Sequence, residues 1–270
     1  MTFAKPYSVE RPEEIAISDP EKELKWAEVD DVLNRCANGL QSLDLGPDVR
    51  IAVFAENAVE TAMANLGGLV AGASVVPVNF HLTAEEVNYI LGDSGTRVLF
   101  VGPETWERGV EAAQGTQVHT VVAWGAPEGA AVTPWPDWLA GSEAGEPDQS
   151  VAPLPNLLYT SGTTGRPKGT DLPPTMFAGG ATVDEHLANF KAGVLERSGG
   201  VIGPQLVVGP MYHTGPLSGT RQLIAGVSSV IMARFNAERT LEVIQQHGIF
   251  SSIMVPTHFV RLLALPDDVK

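Results

Sequence analysis

The sequence predicts an α/β fold in which mostly parallel sheets are flanked by helices and arranged in two lobes. Short apolar segments alternate with amphipathic, helix-like segments along the whole chain. This alternation is typical of parallel sheets with helical connections. The chain has 270 residues, which is long enough to bury a substantial core. Hydrophobic residues make up 44% and charged residues 18%, which are ordinary proportions for a globular protein.

The first lobe is predicted to span residues 1–150. Apolar residues recur at helical spacing from 26 to 43, which predicts an amphipathic helix. Short apolar strands are predicted over residues 50–55, 97–101 and 118–124. Between 125 and 153 the composition shifts to Gly, Pro, Ala, Glu and Asp with little periodicity. This shift indicates an exposed connector and places the boundary near Val151, so that the second lobe spans 151–270.

Two helices of the first lobe carry recognisable start signals. Asn57 is expected to cap the helix that follows it, with Glu60 reaching back to the cap. Thr83 and Glu86 form a second capping box. In both cases the side chains would satisfy N–H groups at the start of a helix, which have no partner inside it.

The second lobe is predicted to begin with two strands that pair. The first should run over 156–159, and residues 168–172 can pair back against it. Pro173 and Pro174 are expected to start a helix that runs through Phe190, because a proline at a helix start loses no hydrogen bond. Strands at 205–208, 228–233 and 250–255 should then alternate with helices at 215–225 and 237–247.

The most distinctive segment is LYTSGTTGRPKG at residues 158–169, which begins in an apolar strand. Its glycines let the backbone approach an anion closely, so that successive N–H groups can converge on phosphate oxygens. Ser161, Thr163 and Thr164 add hydroxyl donors, and Lys168 supplies a point charge. The segment therefore predicts a cradle for phosphate groups.

Two alternatives explain less of this segment. A P-loop phosphotransferase would need a glycine at Pro167 and a magnesium-binding hydroxyl residue at Gly169, so the segment is not that motif. A solvated surface loop with an incidental lysine would suit most short Gly/Ser/Thr stretches. The adjoining Pro-Lys-Gly, however, makes this string longer than a chance match. The complete string favours the phosphate cradle.

The chain resembles the adenylate-forming enzymes, which include acyl-CoA and aryl-CoA ligases, luciferases and peptide-synthetase adenylation domains. The string TSGTTGRPKG at 160–169 is similar to the phosphate-loop signature of that family. Other similar segments keep the family's order: VVPVN at 75–79, LTAEEVNYIL at 82–91, PMYHTGPL at 210–217 and VPT at 255–257. The resemblance spans essentially the whole chain. It implies the incomplete large N-terminal domain of an adenylate-forming enzyme.

The resemblance implies ATP-dependent activation of a carboxylic acid. The acid would form an acyl adenylate with release of pyrophosphate, and then an acyl-CoA thioester. ATP, Mg²⁺ and coenzyme A are the implied cofactors, although no metal ligand can be assigned in this chain. Adenylation domains for amino acids carry an aspartate where this chain has His213. Because a buried ammonium without a counter-charge is costly, the implied substrate is a fatty or aromatic acid.

The resemblance also assigns roles to individual residues. The departing phosphates would be bound by Thr160, Ser161, Gly162, Thr163, Thr164, Gly165 and Lys168. His213 would act in the catalytic site by orienting the substrate carboxylate, although a lone histidine at a strand end is more often structural. The acyl pocket would be lined by Tyr212, His213, Thr214, Gly215, Pro256 and Thr257. A strand that ends at a proline-started helix explains the segment around Pro256 equally well. Surface or structural roles are expected for His81, His119, His186 and His247.

Several segments of the family do not occur among the 270 residues. There is no Tyr-Gly-x-Thr-Glu segment for adenine and magnesium, and no Thr-Gly-Asp whose aspartate binds the ribose. The small C-terminal domain with its catalytic lysine is missing as well. We therefore expect this chain alone to be an inactive fragment, with a non-catalytic nucleotide-binding or regulatory homologue as the alternative. A missing half would leave apolar faces uncovered, which predicts self-association.

Charge and cysteine content exclude other classes of protein. A net charge of −15 and a pI near 4.7 argue against binding to nucleic acid or anionic membranes, since both need a basic surface. The single cysteine, Cys36, cannot form an intrachain disulfide and is expected to be a reduced, packed thiol. The N-terminus lacks an apolar signal segment, and residues 66–78 are too short to span a bilayer. A cytoplasmic location is expected.

Overall fold

Two five-stranded sheets and a two-stranded hairpin form the framework of the computed structural model, which describes residues 1–46, 48–160 and 166–269. Helices connect most consecutive strands, so the predicted α/β fold is confirmed. The strands are β1 (Ile15–Ser18), β2 (Glu23–Lys25), β3 (Arg50–Phe54), β4 (Ser74–Val78), β5 (Val98–Val101), β6 (Thr120–Ala123), β7 (Thr133–Pro134), β8 (Asn156–Thr160), β9 (Lys168–Leu172), β10 (Gln205–Val207), β11 (Ser229–Ile231) and β12 (Ser251–Ser252).

The helices lie against the sheets and fill the connections between strands. They are α1 (Lys5–Glu10), α2 (Trp26–Gln41), α3 (Val59–Val70), α4 (Ala84–Ser94), α5 (Trp106–Ala113), α6 (Trp135–Ala140), α7 (Val183–Arg197), α8 (Thr214–Thr220), α9 (Ala237–His247) and α10 (Pro256–Leu263). Short 3₁₀-helices lie at Pro174–Met176 and Arg221–Ala225. Within the described part of the chain, no helix has both the length and the apolar character that crossing a membrane requires.

Sheet 1 has the strand order β4-β3-β5-β6-β7 and is parallel throughout. In β3, Ile51 lies opposite Val75 of β4 on one side and Val98 of β5 on the other. Residues on both faces of β3 and β5 are buried, including Phe54 and Phe100. Buried apolar residues on both faces are expected where helices cover a parallel sheet on both sides.

Sheet 2 has the order β12-β10-β11-β1-β2 and combines strands from both ends of the chain. β1 pairs in parallel with β11, with Ile17 opposite Ser229, and β2 pairs antiparallel with β1. Sheet 2 therefore crosses the boundary expected between residues 1–150 and 151–270. The division into those two lobes stays a prediction that the strand pairing does not follow.

The largest hydrophobic cluster joins both sheets through α2 and α3. Trp26 and Leu33 of α2 are fully buried in this cluster. Gly67 allows α3 to approach α2 closely, because a Cβ at this position would collide with the side chain of Cys36. Burial raises the pKa of the Cys36 thiol to about 12, so the thiol stays protonated and packed as predicted.

The capping box predicted for Asn57 and Glu60 is wrong. The N–H group of Val59 at the start of α3 donates instead to Oδ2 of Asp19, at 2.7 Å. Glu60 forms an ion pair with Nζ of Lys22, also at 2.7 Å. The cap of α3 therefore comes from a residue that is distant in sequence, and the side chain of Asn57 is free for another role.

The capping box predicted for Thr83 and Glu86 is confirmed at the start of α4. The N–H of Thr83 donates to Oε2 of Glu86 at 2.8 Å, and the hydroxyl of Thr83 accepts from the N–H of Glu86 at 3.4 Å. The helix ends at Gly95, whose φ of +67° suits glycine. Both ends of α4 are therefore fixed by local sequence.

The helix predicted from Pro173 through Phe190 begins later than expected. Only a 3₁₀ turn forms at Pro174–Met176, and α7 follows after Gly179 and Gly180. These glycines have φ values of +67° and +111°, which an α-helix cannot contain. The prolines therefore start a short turn, and the two glycines separate it from the long helix.

The buried side chain of Asn57 joins the two sheets. It follows β3 of sheet 1, and its amide nitrogen donates to the carbonyl oxygens of Gly209 and Met232, at 2.9 and 3.0 Å. Its Oδ1 accepts from the N–H of Met211 at 2.9 Å. Since these partners follow β10 and β11, the amide holds the carboxyl ends of three strands from two sheets together.

Replacing Asn57 with alanine should lower the free energy of unfolding by roughly 2–4 kcal/mol, because three buried backbone groups would lose their partner. Chemical denaturation measures this change. Asn38→Ala is a matched control, since its amide also donates to two carbonyl oxygens, those of Glu143 and Gly145, at a partly exposed site. We expect the control to cost less than about 1 kcal/mol. Equal losses in the two variants would contradict the joining role of Asn57.

Candidate active site

The predicted phosphate cradle lies at the end of a hairpin formed by β8 and β9. The two strands pair antiparallel, as expected, and Thr160 lies directly opposite Lys168. Both of these side chains are exposed. The other predicted phosphate-binding residues, Ser161, Gly162, Thr163, Thr164 and Gly165, lie outside the described residues. The structure therefore brings together the two residues that flank the cradle.

The ammonium group of Lys168 has no acidic partner within the described ranges of the chain. A lysine ammonium is a compact point charge with three donors, well suited to a phosphate oxygen. The lack of a described acidic partner is notable because the chain has a net charge of −15. The end of the hairpin at Thr160 and Lys168 thus offers an anion a positive charge that no described acidic residue compensates.

His213 lies where the chain passes from β10 to α8. It is the N-cap residue of α8, with an extended backbone, and its side chain forms no capping hydrogen bond. The imidazole packs against the ring of Tyr212, with centroids 4.3 Å apart. Partial burial lowers the pKa of His213, which favours the neutral ring at neutral pH. A neutral imidazole can donate one N–H to a carboxylate oxygen.

Tyr212 connects this segment to sheet 1. Its half-buried ring meets Phe80 edge-on, with centroids 5.8 Å apart. Burial also raises the pKa of the Tyr212 hydroxyl, so that it stays protonated. Because Asn57 holds the adjacent Met211, the segment that carries His213 is fixed from two directions.

The start of α8 lies beside the segment that leads into α10, so the two segments predicted to line the acyl pocket are neighbours. A Cβ on Gly215 in α8 would come within 3.2 Å of Cγ2 of Ile253, just before α10. Pro256 and Thr257 are both exposed in the first turn of α10. The arrangement is compatible with a shared pocket, and the individual roles stay predictions.

A groove of about 190 Å³ opens next to these helix starts. Its walls are formed by Asn57, Phe80, His81, Val208, Pro210, Ala233, Arg234, Phe235 and His258. His258 stacks on Phe235, with centroids 4.3 Å apart, and burial lowers the pKa of its imidazole. None of the six residues predicted for the acyl pocket is among these walls.

Sequence reasoning missed Asn57 and His81 as residues of this groove, whereas the segment around Pro256, which includes His258, is predicted to form a wall of the acyl pocket. Asn57 is predicted as a helix cap, and His81 as a surface or structural residue. A usable signal did exist for Asn57, because it follows closely after the strand predicted over residues 50–55. Carboxyl ends of parallel strands meet at one edge of a sheet, which is where ligands bind in α/β folds.

Metal binding has no assembled set of protein ligands in the part of the chain that the structure describes. No three His, Cys, Asp or Glu side chains there are grouped around one point. His186, predicted to be structural, is buried, and its Nδ1 lies 2.8 Å from the carbonyl oxygen of Gly179. Burial lowers the pKa of His186. The described residues do not by themselves fit Mg²⁺.

The family model for AMP-binding enzymes matches residues 7–270 of this chain. ScoC of Streptomyces coeruleorubidus, a fatty acid–[acyl-carrier-protein] ligase, is 33% identical over 234 residues, which cover 86% of this chain and 43% of ScoC. The indoleacetate–CoA ligase of Aromatoleum aromaticum is 28% identical over 262 residues, or 94% of this chain and 49% of that ligase. The chain thus spans about half the length of these relatives.

Solved structures show the same fold. A long-chain-fatty-acid–CoA ligase (FadD1) from Archaeoglobus fulgidus matches with a TM-score of 0.79 and 21% identity, over 97% of this chain and 52% of that one. The N-terminal domain of FACL13 from Mycobacterium tuberculosis matches with a TM-score of 0.78 and 23% identity, over 99% and 65% of the two chains. From the family match along nearly its whole length, the chain belongs to the AMP-binding enzymes.

Proposed function

We propose that the protein activates a carboxylic acid with ATP and transfers the acyl group to coenzyme A. The observation that carries this proposal is the ammonium of Lys168, which lies opposite Thr160 in the hairpin and has no acidic partner among the described residues. A phosphate tail held there would receive a positive charge that no described acidic residue neutralises. Membership of the AMP-binding family supports a nucleotide as the source of that tail.

Acid activation requires control of negative charge on the departing phosphates. In the first step, a carboxylate oxygen attacks the α-phosphorus of ATP, and the bond to the β-phosphate oxygen breaks to release pyrophosphate. Charge develops on the leaving group, so fixed donors at that position lower the barrier. We propose that Lys168 is one of these donors. In the second step, the thiol of coenzyme A loses its proton, its sulfur attacks the acyl carbon, and AMP leaves.

His213 supports a fatty or aromatic acid as the substrate. Its lowered pKa leaves the ring uncharged at neutral pH, so it can orient a carboxylate by hydrogen bonding. It offers no counter-charge to the ammonium of an amino acid, whose burial would then be costly. ScoC and the indoleacetate–CoA ligase are named for a fatty acid and an aromatic acid, which agrees with this substrate class.

A second candidate is a nucleotide-binding protein without turnover. The chain covers 43% of ScoC and 49% of the indoleacetate–CoA ligase, so this candidate concerns residues 1–270 taken alone. We propose that residues 1–270 alone bind ATP without completing the reaction. Binding of Mg-ATP without acid-dependent release of pyrophosphate would support this proposal. Acid-dependent ATP–pyrophosphate exchange by residues 1–270, at the rate of a longer ligase, would contradict it.

Replacing Lys168 with alanine should weaken Mg-ATP binding about 10- to 100-fold, because a charge-assisted hydrogen bond to phosphate would be lost. Isothermal titration calorimetry on the 270-residue chain measures this affinity. Lys22→Ala is the control, since it removes the same charge from a site that pairs with Glu60. Equal affinities for the wild type and the Lys168 variant would contradict the phosphate-binding role.

Replacing His213 with alanine should raise the KM for the acid about tenfold and leave the KM for ATP unchanged, because the lost N–H contacts only the carboxylate. Acid-dependent ATP–pyrophosphate exchange provides both values. His213→Asn should recover part of the loss, and His119→Ala, at an exposed histidine, serves as the control. Because the pKa of His213 is lowered, the KM for the acid should change only below about pH 6.5. A parallel rise in both KM values would oppose the assignment.

Apolar side chains on α10 support the self-association expected from the sequence. Phe259, Val260 and Leu263 expose 53%, 65% and 72% of their surface. An exposed apolar patch on a single helix favours burial against another protein surface. We propose that two copies of the 270-residue chain bury these patches against each other.

Replacing Val260 with glutamate should shift the chain towards a monomer, because burying an unpaired carboxylate between two copies is costly. Sedimentation equilibrium over a range of concentrations measures the change. Val9→Glu is the matched control, since Val9 is 70% exposed on α1. If the Val260 variant associates as strongly as the wild type, α10 is not the contact surface.

A further inference from the structure

One face of α4 contacts both sides of the β8–β9 hairpin, at the end where Thr160 lies opposite Lys168. Tyr89 and Asp93 are four residues apart and therefore lie on the same face of this helix. The hydroxyl of Tyr159 in β8 donates to Oδ2 of Asp93 at 2.6 Å. The hydroxyl of Tyr89 donates to the carbonyl oxygen of Pro167, just before β9, at 3.3 Å.

The side of the hairpin near β9 has a second contact with α4. The guanidinium of Arg166 lies over the ring of Tyr89, 5.0 Å from its centroid. A cation above an aromatic face is stabilised by the ring quadrupole. Tyr89 therefore holds Arg166 by its ring and Pro167 by its hydroxyl. The chain is fixed on this side immediately before Lys168.

The contact between Tyr159 and Asp93 has the character of a strong hydrogen bond. Its length of 2.6 Å fits a hydroxyl that donates to an ionised carboxylate. Burial and the adjacent Asp93 both raise the pKa of Tyr159, which keeps the hydroxyl protonated as a donor. A Cβ on Gly169 would lie only 3.3 Å from Cζ of Tyr159, so the ring is also packed tightly against β9.

The opposite side of α4 is anchored independently of the hairpin. The amide of Asn88 donates to the carbonyl oxygens of Ala112 and Gln114, at 2.8 and 2.9 Å, where α5 ends. The capping box of Thr83 and Glu86 fixes the first turn. Val87, Ile90 and Leu91 of α4 are also buried against sheet 1, so the helix keeps its position, and that of Tyr89 and Asp93, when the Asn88 hydrogen bonds are removed.

We propose that Tyr89 and Asp93 are positioning residues for nucleotide binding, acting through Pro167 and Tyr159 to hold Lys168 and Thr160 at the spacing that a phosphate tail requires. This proposal rests on the proposed function of the hairpin. Displacement of a donor by about 1 Å is enough to weaken an electrostatic site strongly, so a two-stranded hairpin needs such external support. Neither residue needs to touch the nucleotide.

Tyr89→Phe and Asp93→Ala test the proposal in the 270-residue chain. Tyr89→Phe keeps the ring beneath Arg166 and removes only the hydroxyl, whereas Asp93→Ala removes the acceptor of Tyr159. Each variant should weaken Mg-ATP binding about 3- to 10-fold by calorimetry, since one positioning hydrogen bond is lost. In the Lys168→Ala background the same changes should have less than half this effect, because the positioned group is already absent.

Asn88→Ala is the matched control on the same helix. It also removes hydrogen bonds of α4 to backbone carbonyls and should lower the Tm, but it should leave Mg-ATP affinity within twofold of the wild type. A merely structural role for Tyr89 and Asp93 predicts that their variants behave like this control. Mg-ATP affinities that follow Tm equally in all three variants would overturn the proposal.

Hydrogen exchange separates a failure of this proposal from a failure of the proposed function. Equal Mg-ATP affinity in the wild type and Lys168→Ala would show that the hairpin does not bind ATP. The backbone N–H groups of β9 report on the hairpin without any nucleotide. They should exchange at least about threefold faster in Tyr89→Phe and Asp93→Ala than in Asn88→Ala, because each lost hydrogen bond eases local opening. Equal exchange in the three variants would overturn the positioning role by itself.

Discussion

The rest of the structure depends on the three hydrogen bonds that the side chain of Asn57 makes between the sheets. They hold the end of β3 against the ends of β10 and β11, so the edges of two sheets face each other across one groove. The ion pair between Arg234 and Glu104 spans the same junction at 2.7 Å, but it is exposed and therefore contributes little to stability. The buried amide is the constraint that places the His213 segment beside sheet 1.

The β8–β9 hairpin is likewise held in position by contacts with sheet 1. Two strands alone are marginally stable in water, so β8 and β9 need contacts with the rest of the chain. Leu157 is buried in the cluster on one face of sheet 1, and the hydroxyl of Ser74 donates to the carbonyl oxygen of Pro155 at 2.5 Å. Since α4 also contacts the Thr160–Lys168 end, the position of the hairpin is fixed. Electrostatic binding of phosphate requires donors that are held in fixed positions.

Local sequence predicted those features whose partners are near in sequence. The Thr83 capping box and the pairing of β8 with β9 are of this kind, since each depends on residues within one short segment. Asn57 is different, because its amide bonds to residues 152 and 175 positions away, and a periodicity carries no information about such partners. The phosphate-loop residues were recognisable as a string, whereas the supports from α4 depend on which helix packs against the hairpin. The groove likewise combines His81 and His258, which are far apart in the sequence.

We infer that the Thr160–Lys168 end of the β8–β9 hairpin binds the phosphate tail of a nucleotide. A crystal structure of the protein with a non-hydrolysable ATP analogue tests it most directly. The β- or γ-phosphate oxygens should lie within about 3 Å of the Lys168 ammonium, beside Thr160. Clear density for the triphosphate at another site, with Lys168 in contact only with solvent, would contradict the claim.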